Sequence, residues 1–64
     1  MTTPYSRGHE AGYTEAVERE HIGDATSAVD GPTWFTAPAT EDDAVEYEHG
    51  WLAGWSDYFQ GRRP

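Results

Sequence analysis

The sequence predicts an all-α fold, an antiparallel two-helix hairpin with an aromatic-bearing loop packed on it. Three observations predict it. Glycine and apolar residues recur at helical spacing in two separate segments. Residues that start and stop helices bracket both segments. The stretch between them carries Gly31, Pro32 and Pro38 among Ser and Thr, the composition of a loop. The expected division is a single small domain over 1–64, with a helix over about 4–22, a loop over about 23–40 and a helix over about 41–60.

The first helix starts where Thr3 can cap it and Pro4 suits the first helical position. Tyr5, Gly8, Gly12, Tyr13, Ala16 and Val17 form one stripe. Glu15 and Arg19 make an i,i+4 pair on another side. Gly23 can supply the left-handed residue that ends the helix. The loop holds Trp34 and Phe35 side by side. A flexible linker has no use for two large aromatics, so both are expected to dock on the helices. The alternative is a solvent-facing anchor for a partner.

The second helix is expected to start at Glu41, capped by Thr40, with Asp43 three residues on as a weak capping box. Glu41, Asp42 and Asp43 fill a first turn in which the helix dipole favours negative charge. Gly61, Arg62 and Arg63 suit the far end. The apolar face reads Ala44, Val45, Trp51, Leu52, Trp55, Tyr58 and Phe59. Gly50 and Gly54 repeat the spacing of Gly8 and Gly12. Each mid-helix glycine costs about 1 kcal/mol against alanine, so four need a compensating contact. The expected contact sets aromatics of one helix on the glycine stripe of the other, with the loop aromatics closing one end. Gly8, Gly12, Tyr13, Gly50, Trp51, Leu52, Gly54, Trp55 and Phe59 are the expected core.

The chain has 64 residues and no cysteine. A chain that short buries only about 60% of the surface its unfolded form exposes. Without disulfides, its supports are aromatic packing, a metal or self-association. Two copies of a hairpin would supply the four helices of a bundle.

Twelve acidic residues against four arginines give a formal charge of −8, with no lysine. Nucleic-acid binders need cations that displace phosphate counterions, so direct binding to DNA or RNA is disfavoured. An anionic membrane surface is disfavoured for the same reason. A basic protein surface is the better partner. The bland reading is that the charge only keeps an aromatic-rich chain soluble. No apolar run approaches the roughly 20 residues of a membrane span. Met1-Thr2-Thr3-Pro4 lacks a basic region followed by an apolar one, so no secretory signal and a cytoplasmic location are expected.

Arg7-Gly8-x-x-Ala11-Gly12, a loop, then Trp51-Leu52-x-Gly54-Trp55 resembles the ribosome modulation factor family. The resemblance implies a short protein of two helices joined by a loop. It also implies non-enzymatic binding to the small ribosomal subunit, promoting inactive ribosome dimers during slow growth. The family is basic where this chain is acidic. Its Cys-Pro-Tyr-type loop segment has Trp34-Phe35-Thr36-Ala37-Pro38 as its nearest counterpart here. Small relatives of this type also occur in phage genomes, and an acidic version from a phage would act on a host protein.

Glu18-x-x-His21 and Glu46-x-x-His49 are the metal-like spacing, since Glu and His three apart share a helix face. Glu18 and Glu46 fall outside the aromatic stripes, whereas such ligands must project inward, so no metal or other cofactor is expected; the alternative is a dimeric metal-binding bundle with Glu18, His21, Glu46 and His49 as its ligands. No nucleophile motif, phosphate loop or inward carboxylate pair is present, and no enzymatic activity is expected. The expected function is regulatory docking on a basic partner, ribosomal or nucleic-acid-binding, as an inhibitor or nucleic-acid mimic. The expected contact residues are Glu10, Glu15, Glu18, Glu20, Glu41, Asp42, Asp43 and Glu46, with Tyr47 as a surface aromatic.

Overall fold

Thr3 opens the first helix, α1 (Pro4–His21): its hydroxyl accepts from the Ser6 N–H at 3.1 Å, and Pro4 takes the first turn. Gly23, at φ +85°, closes it. The Gly23 N–H donates to the Glu20 carbonyl at 3.1 Å and the Asp24 N–H to that of Arg19 at 2.8 Å, a Schellman stop. These coordinates are a computed structural model that describes residues 2–61. Among them, α1 is followed by a 3₁₀ turn (Ala28–Asp30), a short helix α2 (Gly31–Trp34) and a long helix α3 (Ala44–Phe59), with no strand. The expected charge at Arg62 and Arg63 lies outside the described residues.

The all-α expectation holds, and α1 lies against α3 along most of its length. The expected antiparallel direction does not hold. Gly8 faces the backbone of Tyr47 and Trp51, and Gly12 faces Trp51. Reciprocally, Gly50 faces Tyr5 and His9, and Gly54 faces His9 and Tyr13. Further along, the Tyr13 ring meets Tyr58 edge-on at 5.4 Å, and Glu20 accepts from the Tyr58 hydroxyl at 2.6 Å. Residue numbers rise together on both helices, so α1 and α3 run parallel.

The reason is at the glycines. A Cβ at any of the four would come closer than 3.0 Å to a carbonyl oxygen of the facing helix. Backbone, not an aromatic ring, fills each glycine stripe, correcting the expected ring-on-stripe contact. Such close approach permits Cα–H···O contacts, worth perhaps 0.5–1 kcal/mol each. It offsets the helix penalty of the glycines.

Parallel helices place both positive dipole ends together, which is unfavourable. Glu41, Asp42, Asp43 and Glu46 stand at or just before that end of α3, and Arg19 lies in the last turn of α1. Each charge has the sign that offsets the local dipole.

A parallel pair also obliges residues 22–43 to travel back the length of the helices, about 24–27 Å at 1.5 Å per residue. They travel along one flank. Ser27 gives its carbonyl to the Trp55 indole N–H at 3.2 Å, Gly31 packs on Trp55 and Leu52, and Phe35 sets its ring edge-on to Trp51 at 5.4 Å. Phe35 and Trp34 are thus half-buried as expected, but they line a flank rather than close an end. Trp51 and Trp55 stack at 5.2 Å, and Phe59 continues the ladder from Trp55 at 5.5 Å. Trp55 is fully buried, and Ala16, Ala25, Tyr47 and Trp51 complete the core.

The start of α3 also differs from expectation. It begins at Ala44, not Glu41, and Asp43 rather than Thr40 caps it, accepting from the Glu46 N–H at 3.1 Å. Glu41 is diverted to an ion pair with Arg7. Ala44 and Val45, expected on the apolar face, are exposed because the returning segment does not cover that first turn.

Candidate functional site

The arginines decide which carboxylates stay open. Arg7 grips Glu41 with both arms of its fork, Nη2 to Oε2 at 2.9 Å and Nε to Oε1 at 3.3 Å. This contact ties α1 to the end of the returning segment. The Glu41 side chain keeps only 5% of its surface exposed. Arg7, with a backbone N–H from Asp43, holds the Glu41 carboxyl below the usual carboxylate range.

Arg19 donates from Nε to Glu15 Oε2 at 2.6 Å and from Nη1 to Asp24 Oδ2 at 3.3 Å. Its guanidinium also lies 4.3 Å from the centre of the Trp34 ring, a cation–π contact. Both described arginines are therefore spent inside the molecule. Glu15 and Glu41, expected on the docking face, are structural partners instead.

Glu10, Glu18, Asp42, Asp43 and Glu46 remain exposed, as the sequence led us to expect. Asp43 keeps its carboxylate at the surface while capping α3. They fall in two zones, Asp42, Asp43 and Glu46 at the N-terminal end of the pair, and Glu10 and Glu18 on the outer side of α1. Glu20, also expected here, accepts from Tyr58. Glu48 is a further exposed carboxylate that the sequence reading did not single out.

Tyr47 does not belong to this surface. It is only 6% exposed, its backbone lies against Gly8, and its ring packs on Phe35 at 6.4 Å. Burial, with Glu41 nearby, pushes its hydroxyl above its ordinary value. Its place beside the glycine seam turns it inward in a parallel pair.

The two Glu-x-x-His pairs are not brought together. In the parallel register, Glu18 and His21 stand near the C-terminal end of α3, while Glu46 and His49 stand near its start. Their levels differ by roughly 20 Å at 1.5 Å per residue. Among the described residues, no group of three or more His, Asp or Glu is placed to hold a metal ion.

The flank of the seam opposite the returning segment is uncovered. Tyr5, His9, Tyr13 and Val17 follow one another there at four-residue spacing, and Tyr5 and Val17 keep about 40% of their surface exposed. Two shallow depressions run end to end along this side of α1, the first lined by Tyr5, His9, Glu10 and Tyr13, the second by Tyr13, Val17, Glu18 and His21. His9 Nε2 lies 2.8 Å from Asp57 Oδ2, bridging α1 to α3 across the seam. Sequence reasoning missed this pair, since residues 9 and 57 are far apart in the chain and no local pattern links them.

No helix among the described residues is long and apolar enough to cross a membrane. The chain matches no family model, no curated protein and no solved structure.

Proposed function

We propose that this chain is a small regulatory binding protein that docks on a basic surface of a macromolecular partner in the cytoplasm. One observation carries the reading: Arg7 and Arg19 are closed onto Glu41, Glu15 and Asp24, while Glu10, Glu18, Asp42, Asp43, Glu46 and Glu48 stay exposed. Complementary fields of that kind steer encounter and select a partner of opposite sign. The protein acts by occupying a surface rather than by catalysis. A nucleic-acid-binding or ribosomal protein presents the cationic surface this chemistry fits.

The likeness to the ribosome modulation factor family enters as a proposal about the scaffold. Of the residues that carry it, Gly8, Gly12, Trp51, Gly54 and Trp55 are buried, Ala11 and Leu52 are half-buried, and Arg7 alone is exposed, where it pairs with Glu41. They bear on how two helices meet, not on what the outer surface touches.

The test is capture by the immobilised chain from a lysate of its own or its host's cells, with ribosomes sedimented in parallel. The reading predicts recovery of a basic protein that is released as salt rises from about 50 to about 500 mM. It also predicts loss of capture when Glu10, Glu18, Asp42 and Glu46 are changed together to their amides. Capture indifferent to salt and to those changes would contradict it. Co-sedimentation with the small subunit would make that partner ribosomal.

A further inference from the structure

We infer that the uncovered flank of α1 is a seat for a basic amphipathic helix of the partner. The inference rests on the docking reading above and says where, and by what kind of segment, the docking occurs. Tyr5, His9, Tyr13 and Val17 make a straight ridge at four-residue spacing. The two depressions beside them form one track along α1. A ridge and groove of this kind is what a second helix packs into. Tyr5 and Val17 supply exposed apolar surface. Tyr13 is held by the edge of the Tyr58 ring, so it is a positioned anchor rather than a mobile one.

The charges at the track choose the occupant. Glu10 lines its first half and Glu18 its second, with the His9 and His21 imidazoles beside them. Glu20 and Asp57 stand on the inner side, held by Tyr58 and His9. An apolar strip bordered by carboxylates complements a helix with a narrow apolar face flanked by Lys or Arg. A second copy of this chain would bring its own carboxylates against these and is opposed by a charge of −8 on each partner. An extended peptide would find no sheet edge among the described residues to bond its backbone. Nucleic acid and anionic lipid are repelled by the same glutamates.

The probe is a synthetic Lys/Leu amphipathic helical peptide, with a scrambled peptide of equal composition as control. Binding to the whole chain is followed by fluorescence anisotropy and amide shift mapping. The expected result is salt-sensitive binding of the helical peptide, with shifts along residues 5–21. Tyr5→Ser with Val17→Ser should weaken it roughly tenfold or more. Both side chains are exposed, so circular dichroism should stay unchanged. Asp42→Asn with Glu46→Gln should change it less than about threefold, a rim-charge effect. Equal binding of the scrambled peptide would overturn the inference. So would shifts confined to Asp42, Asp43 and Glu46, although the docking reading would then stand. Self-association of the free chain through the same residues would overturn it in favour of a dimer. Failure of salt-sensitive capture from lysate, by contrast, would remove the docking reading itself.

Discussion

The carbonyl oxygen of Trp51 occupies the place where a side chain on Gly12 would stand. Gly54 meets the His9 carbonyl in the same way from the other helix. These reciprocal contacts make the seam between α1 and α3 a backbone-to-backbone joint. Its uncovered flank carries the proposed site.

Gly12→Ala should therefore destabilise the fold, although alanine is the better helix former. The gain in propensity is about 1 kcal/mol. The overpacking cost is about 1–3 kcal/mol, at its upper end where the obstacle is backbone. Thermal unfolding should show a lower midpoint for Gly8→Ala, Gly12→Ala, Gly50→Ala and Gly54→Ala alike. Gly31→Ala should cost less, because its Cβ would meet only side-chain atoms of Trp55 and Leu52, at 3.1–3.3 Å.

Trp55→Ala should remove a large share of the stability and lower the unfolding midpoint steeply. Removing a fully buried tryptophan costs about 3–5 kcal/mol. At about 0.05–0.15 kcal/mol per residue, the chain has a total stability of roughly 3–10 kcal/mol. Trp55→Phe keeps most of the packing and loses the indole bond to the Ser27 carbonyl. Urea unfolding followed by circular dichroism should place it between the wild type and Trp55→Ala.

The helices and most of the core were legible in the sequence; the direction of one helix relative to the other was not. Thr3, Pro4, Gly23 and Gly61 are local signals, and they marked real helix ends. The glycine spacing announced a close approach. A glycine stripe reads the same in both directions, however, and the loop was long enough to join either pair of ends. Tyr47 was assigned to the surface, and the Arg7–Glu41 and His9–Asp57 bridges, which join residues far apart in sequence, stayed invisible. Of the candidate docking residues, Glu10, Glu18, Asp42, Asp43 and Glu46 are surface carboxylates, whereas Glu15 and Glu41 are claimed by arginines that composition alone left unassigned.

Acid should loosen the grip of the returning segment. Because Arg7 lowers the folded-state pKa of Glu41, that pair's stabilisation is fully present above the unfolded carboxyl value of about 4.3. It is lost as pH falls through the lower folded value. Glu41→Gln should flatten part of the fall in stability below about pH 4, read as melting midpoint against pH.

Alkali should act at the other end. The bond from Tyr58 to Glu20, together with burial, raises the tyrosine's pKa above its ordinary value. Its contribution is whole below the unfolded value of about 10 and is lost as pH rises through the folded value. Tyrosinate absorbance should show two late-titrating groups, Tyr47 and Tyr58, of which only one moves to lower pH in Glu20→Gln. If neither moves in that variant, the Glu20 bond does not hold Tyr58.

The parallel seam is the claim on which the placement of every surface residue depends. The chain has no cysteine, so Ser6→Cys gives a single attachment point for a spin label. Paramagnetic broadening should then be strongest on the amides of Glu46 to Gly50, the first turns of α3, and weaken steadily towards Trp55 to Gln60. Broadening strongest at Trp55 to Gln60 instead, and weakest at Glu46 to Gly50, would mean that the helices run antiparallel, and would contradict the account.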